Sequence, residues 1–147
     1  MKWIALITWV VTAGFGFIML AIWLSRGGMR QGRDGGSRIR PPLILSHFLL
    51  AAAGLVVWII YLAADKDALK WVAFVILAVV ALLGWTMFFI WAGQRQRRLG
   101  PAAQAGGAAV ATEPAEQHFP ISVIVLHGLF AVATVVLVLL TALDVGT

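Results

Sequence analysis

The chain contains no cysteine, and only 12% of its 147 residues are charged. The absence of cysteine excludes disulfide scaffolds, thiolate metal sites and cysteine nucleophiles. Soluble domains average about 25% charged residues. This chain has half that share and is 62% hydrophobic, so it holds more apolar surface than a core of its size can bury. The two deficits together exclude an ordinary soluble globular protein.

Asp, Glu, Lys and Arg are missing from four long stretches of the sequence. These stretches are 3–25, 43–64, 71–93 and 119–143. About 20 helical residues cross a bilayer core about 30 Å thick, and backbone in lipid satisfies its own hydrogen bonds by forming helices. The sequence therefore predicts an all-α fold, a four-transmembrane-helix bundle forming a single membrane domain. The expected helices are about 3–25, 42–64, 69–93 and 119–143, with loops at 26–41 and 94–118.

The basic residues predict how the chain crosses the membrane. The loops 26–41 and 94–118 carry eight arginines, whereas the opposite side carries three lysines. Loops rich in Lys and Arg stay in the cytoplasm, so we expect both termini outside a bacterial plasma membrane. The net charge of +5 is then a topology signal, and no folded basic face is left to bind nucleic acid. Aromatic residues near the span ends fit interfacial belts: Trp3, Trp23, Trp58, Tyr61, Trp71 and Trp91.

The spans resemble one another in pairs. A shift of 68 residues aligns positions 2–26 with 70–94, and nine of the 25 pairs are identical. A shift of 80 residues aligns the second span with the fourth and places His47 on His127. The less common identities of the first alignment are Lys2 with Lys70, Trp3 with Trp71, Met19 with Met87 and Trp23 with Trp91. The pattern favours a tandem repeat of two helical hairpins, related by a pseudo-twofold axis along the membrane normal.

Two histidines, His47 and His127, lie well inside the spans. An ionisable side chain in a membrane is costly and marks a candidate functional site. Two neutral imidazoles at matched depth on parallel helices suit axial ligation of a haem iron from both sides. We therefore predict His47 and His127 as the ligands of one haem b. The alternative is that each imidazole only forms a hydrogen bond with a neighbouring helix.

Other residues near the histidines leave further alternatives open. Two Met with two His would also suit copper, which would involve Met19 and Met87, although Met more often fills gaps in apolar cores. The small residues that follow the histidines on the same helical faces would give a macrocycle room, or simply let helices pack closely. They are Ala51 and Gly54 after His47, and Ala131 and Thr134 after His127. The third histidine, His118, is expected to contact lipid headgroups.

The segments HFLLAAAGLVVWIIYL from His47 and HFPISVIVLHGLFAVATVVLVLLTAL from His118 resemble small, uncharacterised four-helix membrane proteins of actinobacteria. The resemblance covers most of the chain and implies a bacterial membrane protein but no activity. The arrangement is also similar, more loosely, to membrane b-type cytochromes, whose histidine pairs hold haem. That second similarity is architectural and no motif carries it. It implies at most one haem, since the chain has one well-buried histidine pair.

Three functions of different classes follow from these observations. The first is a haem b electron-transfer module that passes electrons to a quinone or a redox membrane complex. The second is a non-catalytic accessory or assembly subunit of a larger membrane complex. With either function, a homo-oligomer would be a further partner. A small transporter or channel is less favoured, because the spans contain neither Asp nor Glu and no internal Pro breaks. Conventional enzyme catalysis is not indicated, since no carboxylate pair, serine triad or phosphate loop is present.

Overall fold

The computed structural model describes residues 1–30, 37–100 and 113–145. Within these ranges the protein is all-helical, and four helices are long and apolar enough to cross a membrane. The predicted four-helix membrane fold is therefore confirmed. Arg33, one of the arginines in the orientation argument, lies outside the described residues, as does the core of the second long loop. The helices are α1 (Lys2–Ser25), α2 (Pro41–Ala64), α3 (Asp67–Leu99) and α4 (Ile121–Ala142), and a 3-10 helix (Ala115–His118) precedes α4.

The third helix is longer than the sequence predicted. It continues six residues past position 93 to Leu99, into the segment expected to be a loop from 94 to 118. Residues 94–99 read QRQRRL, all good helix formers, and the helix ends where Gly100 and Pro101 follow. At about 1.5 Å per residue, α3 is about 50 Å long, so its last turns project beyond an apolar layer of about 30 Å.

The four helices form a ring in which neighbours along the ring are antiparallel. The most extensive contacts join α1 to α4 and α2 to α3, and smaller ones join α3 to α4 and α1 to α2. Thus α2 and α4 lie across the ring from each other, as do α1 and α3. Side chains that point inward from α2 and α4 therefore approach one another at the centre of the bundle.

The best-packed part of the interior lies toward the lysine-bearing end of the bundle, where α1 and α3 begin and where Lys2 and Lys70 lie. Its core contains Ala5, Trp9, Trp58, Tyr61, Ala73, Leu77 and Val138. Of the residues assigned to aromatic belts, Trp3 and Trp71 face outward. Trp23, Trp58, Tyr61 and Trp91 are instead buried in the protein.

Ion pairs close the lysine-bearing end. Lys2 Nζ lies 3.1 Å from Asp65 Oδ1, which follows the end of α2. Lys70, near the start of α3, pairs with Asp67 at 3.1 Å and with Asp144 beyond the end of α4. Asp65 and Asp144 both have a left-handed backbone, with φ of 50° and 57°. The two carboxylates therefore fasten the helix ends to the bundle rather than simply facing water.

A buried carboxylate joins chain segments at the arginine-bearing end of the bundle, where α1 and α3 end and α2 and α4 begin. Glu116, in the 3-10 helix, is fully buried and accepts hydrogen bonds from three donors on two other segments. They are Ser37 Oγ at 2.9 Å, the Arg38 backbone N–H at 2.9 Å and Gln94 Nε2 at 3.1 Å. Sequence reasoning missed this residue, because a Glu in an Ala- and Gly-rich loop gives no sign that it folds back under the bundle.

Candidate functional site

The two intramembrane histidines face each other across the centre of the bundle. His47 lies in the second turn of α2 and His127 in the second turn of α4. Their ring centroids are 6.3 Å apart and their planes are inclined by 54°. The sequence could not show whether these side chains point inward, because both helices are apolar all round. The structure brings them together, each about half-buried.

Each imidazole is held by a hydrogen bond to the backbone of an adjacent helix. His47 Nδ1 lies 3.0 Å from the carbonyl oxygen of Val80 in α3, and His127 Nδ1 lies 2.9 Å from that of Thr12 in α1. A carbonyl oxygen only accepts, so each Nδ1 carries the hydrogen and donates it. In the neutral ring the lone pair is then on Nε2, which is free to act as a metal ligand.

Two glycines give the rings their space. A Cβ atom added to Gly84 would lie 3.2 Å from His47 Cε1, and one added to Gly16 would lie 3.3 Å from His127 Cε1. These separations are tighter than ordinary van der Waals contact, so any side chain at either position would push on the adjacent imidazole. Gly16 and Gly84 are thus part of the site. The only sequence signal that pointed to them was their alignment at the 68-residue shift.

The contacts of the two histidines occur at matched positions. His47 and His127 differ by 80 residues, while Thr12 and Val80 differ by 68, as do Gly16 and Gly84. These are the two shifts found in the sequence. A duplicated hairpin would produce such contacts, and the duplication itself stays a prediction.

The surroundings of the two rings nevertheless differ. Thr12, whose carbonyl oxygen accepts from His127, places its hydroxyl oxygen 3.4 Å from that of Thr134, about two turns after His127 on α4. On the other side, a Cβ on Gly54 would lie 3.1 Å from both Ile76 and Trp9. Ile76 and Trp9 therefore fill the space beside Gly54, about two turns after His47 on α2. Gly54 and Thr134 pack helices together, and the room beside the imidazoles is provided by Gly16 and Gly84.

Other candidate ligands are less well placed. Among the described residues, no group of three or more His, Asp or Glu side chains is arranged to hold a metal ion. Met19 and Met87 follow Gly16 and Gly84 by three residues, nearly one turn closer to the arginine-bearing end, and their role as copper ligands stays a prediction. His118 lies outside the pair, with Nδ1 3.3 Å from the Pro114 carbonyl oxygen and Nε2 3.7 Å from Glu113.

No protein-family model, curated protein or solved structure matches the chain.

Proposed function

We propose that this protein is an integral membrane electron carrier that holds one haem b between His47 and His127. The observation that carries the proposal is the pairing of two intramembrane imidazoles from opposite helices, with ring centroids 6.3 Å apart. Metal–imidazole bonds of about 2 Å on each side, plus a ring radius of about 1 Å each, give a separation of about 6 Å. Two imidazoles at this spacing suit an iron bound from both sides.

The donor atoms of the site fit such a group. Backbone carbonyls at Val80 and Thr12 fix the hydrogen on each Nδ1, which is the outer hydrogen bond that metal-binding histidines usually make. Gly16 and Gly84 have no side chain that would press on Cε1 of the two rings. A bound haem would supply one-electron transfer.

The bundle supplies the rest of the proposed function. The two spans that carry the histidines contain no Asp, Glu, Lys or Arg between residues 43 and 64 or between residues 119 and 143 that could compete for the imidazoles. The carbonyl hydrogen bonds restrict rotation of the rings. Together these effects keep two neutral ligands oriented within the membrane, where an isolated histidine would be unfavourable.

One set of contacts also suits a second function. Each histidine already has a backbone partner, and Thr134 and Gly54 are packed against neighbouring helices. Such satisfied contacts are what a cofactor-free accessory subunit would need for a stable bundle. The two functions differ in one property, which is whether the purified protein absorbs visible light.

The test is a visible spectrum of the full-length protein, purified from haem-sufficient cells and recorded oxidised and reduced. We expect a Soret band and sharp reduced α and β bands, with loss of the bands in His47→Ala and in His127→Ala. His118→Ala is the matched control, because it removes an imidazole outside the pair, and it should keep the bands. Circular dichroism should show unchanged helix content in all three variants.

Two results would count against haem. A colourless wild-type preparation would favour the accessory subunit. Equal loss of colour in all three histidine variants would show that the absorbing group is not held by the pair.

A further inference from the structure

A shallow cleft lies at the arginine-bearing end of the bundle, on the outer side of α3. Its volume is about 300 Å³ and it is lined by Arg38, Phe89, Ile90, Gly93, Gln94 and Arg97. Arg38 comes from the segment before α2, and the other five lie along α3. The cleft is separate from the histidine pair, and its chemistry is independent of the proposed haem.

The lining changes from apolar to cationic along the helix. Phe89, 65% exposed, and Ile90 belong to the membrane-spanning part of α3. Gly93 and Gln94 follow one turn later, and Arg97 one turn beyond them. A Cβ added to Gly93 would meet nothing within 4 Å, so the missing side chain opens the middle of the cleft. The lining of the cleft therefore changes from apolar to cationic over about two turns of α3.

The two arginines of the cleft keep their charge available. Within the described parts of the chain, no carboxylate oxygen lies within 4.0 Å of the guanidinium of Arg38 or Arg97. The neighbouring Arg98, by contrast, pairs with Glu113 at 3.1 Å. Two guanidinium groups that converge on one cleft from different segments favour an anion with several acceptor oxygens.

Glu116 contacts both parts of the chain that line the cleft. One of its oxygens, Oε1, accepts both the backbone N–H of Arg38 and the side-chain amide of Gln94. This buried carboxylate thus joins the Arg38 segment to α3, the two parts of the chain that line the cleft. It acts as a positioning residue and leaves the two guanidinium groups facing outward.

We infer that this cleft binds the headgroup of an anionic phospholipid. The phosphate lies between Arg38 and Arg97, and an acyl chain runs down over Phe89 toward the middle of the membrane. Charge complementarity identifies the headgroup, because guanidinium groups form paired hydrogen bonds with phosphate. The exposed apolar residues directly below them identify a lipid rather than a free anion, since inorganic phosphate gains nothing from an apolar wall.

The experiment compares lipid binding to the full-length protein in a neutral detergent by native mass spectrometry. Phosphatidylglycerol and phosphatidylcholine with identical acyl chains are the two probes. We expect preferential binding of phosphatidylglycerol. The double variant Arg38→Gln/Arg97→Gln should weaken it about 30-fold, since each basic residue contributes about fivefold.

Two single variants separate charge from shape. Arg98→Gln removes the same charge from the same helix but outside the cleft, and it should change binding less than about twofold. Gly93→Leu keeps every charge and fills the cleft, and it should weaken binding of phosphatidylglycerol by about tenfold. Circular dichroism and the elution volume of each variant report whether the bundle is intact.

Three outcomes would overturn the inference. They are equal binding of the two lipids, equal loss in Arg98→Gln and in the double variant, and displacement of phosphatidylglycerol by inorganic phosphate at about tenfold molar excess over the lipid. The last would show that the cleft is a phosphate site without a lipid component. None of these results depends on whether the histidine pair holds haem.

Discussion

The first half of the chain, α1 and α2, and the second half, α3 and α4, are alike inside the membrane and unlike at its surfaces. In the middle, each half presents one histidine to a backbone carbonyl of the other half and one glycine beside the partner's ring. At the lysine-bearing end, Lys2 is 38% exposed in its ion pair with Asp65, whereas the side chain of Lys70 is 3% exposed. At the arginine-bearing end, Glu116 has no equivalent, since the position 80 residues earlier is Gly36.

The difference shows where the chain tolerates change. An imidazole inside a membrane-spanning bundle has no water to form hydrogen bonds with, so its protein partner and the space around it are tightly constrained. Groups at the membrane surface have water as an alternative partner, and their arrangement is free to differ between the halves. We therefore expect unequal effects from equivalent substitutions at the ends and equal effects from equivalent substitutions in the middle.

The largest effect is expected at Glu116, the contact found in only one half. Glu116→Ala leaves the Arg38 N–H and Gln94 Nε2 without their shared acceptor. Ser37 Oγ also loses a partner, but the Ile39 carbonyl oxygen 2.8 Å away can still accept its hydrogen. Unsatisfied buried groups cost about 1–3 kcal/mol each, and partial access of water lowers the total, so we expect a loss of about 2–4 kcal/mol. Reversible unfolding in mixed micelles of a mild and a denaturing detergent measures this free energy.

Glu113→Ala is the matched control for that variant. Glu113 is 48% exposed and forms a salt bridge with Arg98, so its loss should change the free energy of unfolding by less than about 1 kcal/mol. Equal effects of the two substitutions would show that the Glu116 contacts do not hold the two long connections together.

Substitution of Lys70 or Lys2 is expected to destabilise the protein less than substitution of Glu116, and the two lysine variants should differ from each other. Lys70→Met removes a cation whose side chain is 3% exposed and which contacts two carboxylates, whereas Lys2→Met removes one that is 38% exposed and contacts one. Water screens a covered cation less than an exposed one, so the loss of Lys70 should cost more than the loss of Lys2. The decrease in unfolding temperature should be at least about twice as large for Lys70→Met as for Lys2→Met. Equal shifts would mean that water reaches both pairs alike.

The fold could be predicted from the sequence because a bilayer makes hydropathy decisive. The four charge-free stretches correspond to the four helices, and the histidines at 47 and 127 were recognisable because polar residues in such stretches are rare. The contacts of the two imidazole rings were not predictable, because helices that are apolar all round contain no apolar stripe to show which face turns inward.

Two other features depended on long-range contacts. The burial of Trp23 and Trp91 was missed because tryptophan near the end of a span suits both the lipid interface and a packed interior. Glu116 was missed because its partners, Ser37 and Gln94, are 79 and 22 residues away in sequence. No local pattern marks a carboxylate whose role is to join two loops.

The smallest effects, and equal ones, are expected for Gly16→Ala and Gly84→Ala. Each added methyl group would press on an imidazole from 3.3 Å or 3.2 Å, and mild overpacking of this kind costs about 1–2 kcal/mol. Gly14→Ala is the control, because a Cβ there meets nothing within 4 Å and alanine favours the helix. The same detergent titration measures all three variants.

If the Gly16 and Gly84 values agree to within about 0.5 kcal/mol, the two histidine environments are equivalent in energy as well as in geometry. A clear difference would mean that the hydroxyl groups of Thr12 and Thr134 make the His127 side more adaptable than the His47 side, and the equivalence of the two halves would not extend to the middle of the membrane.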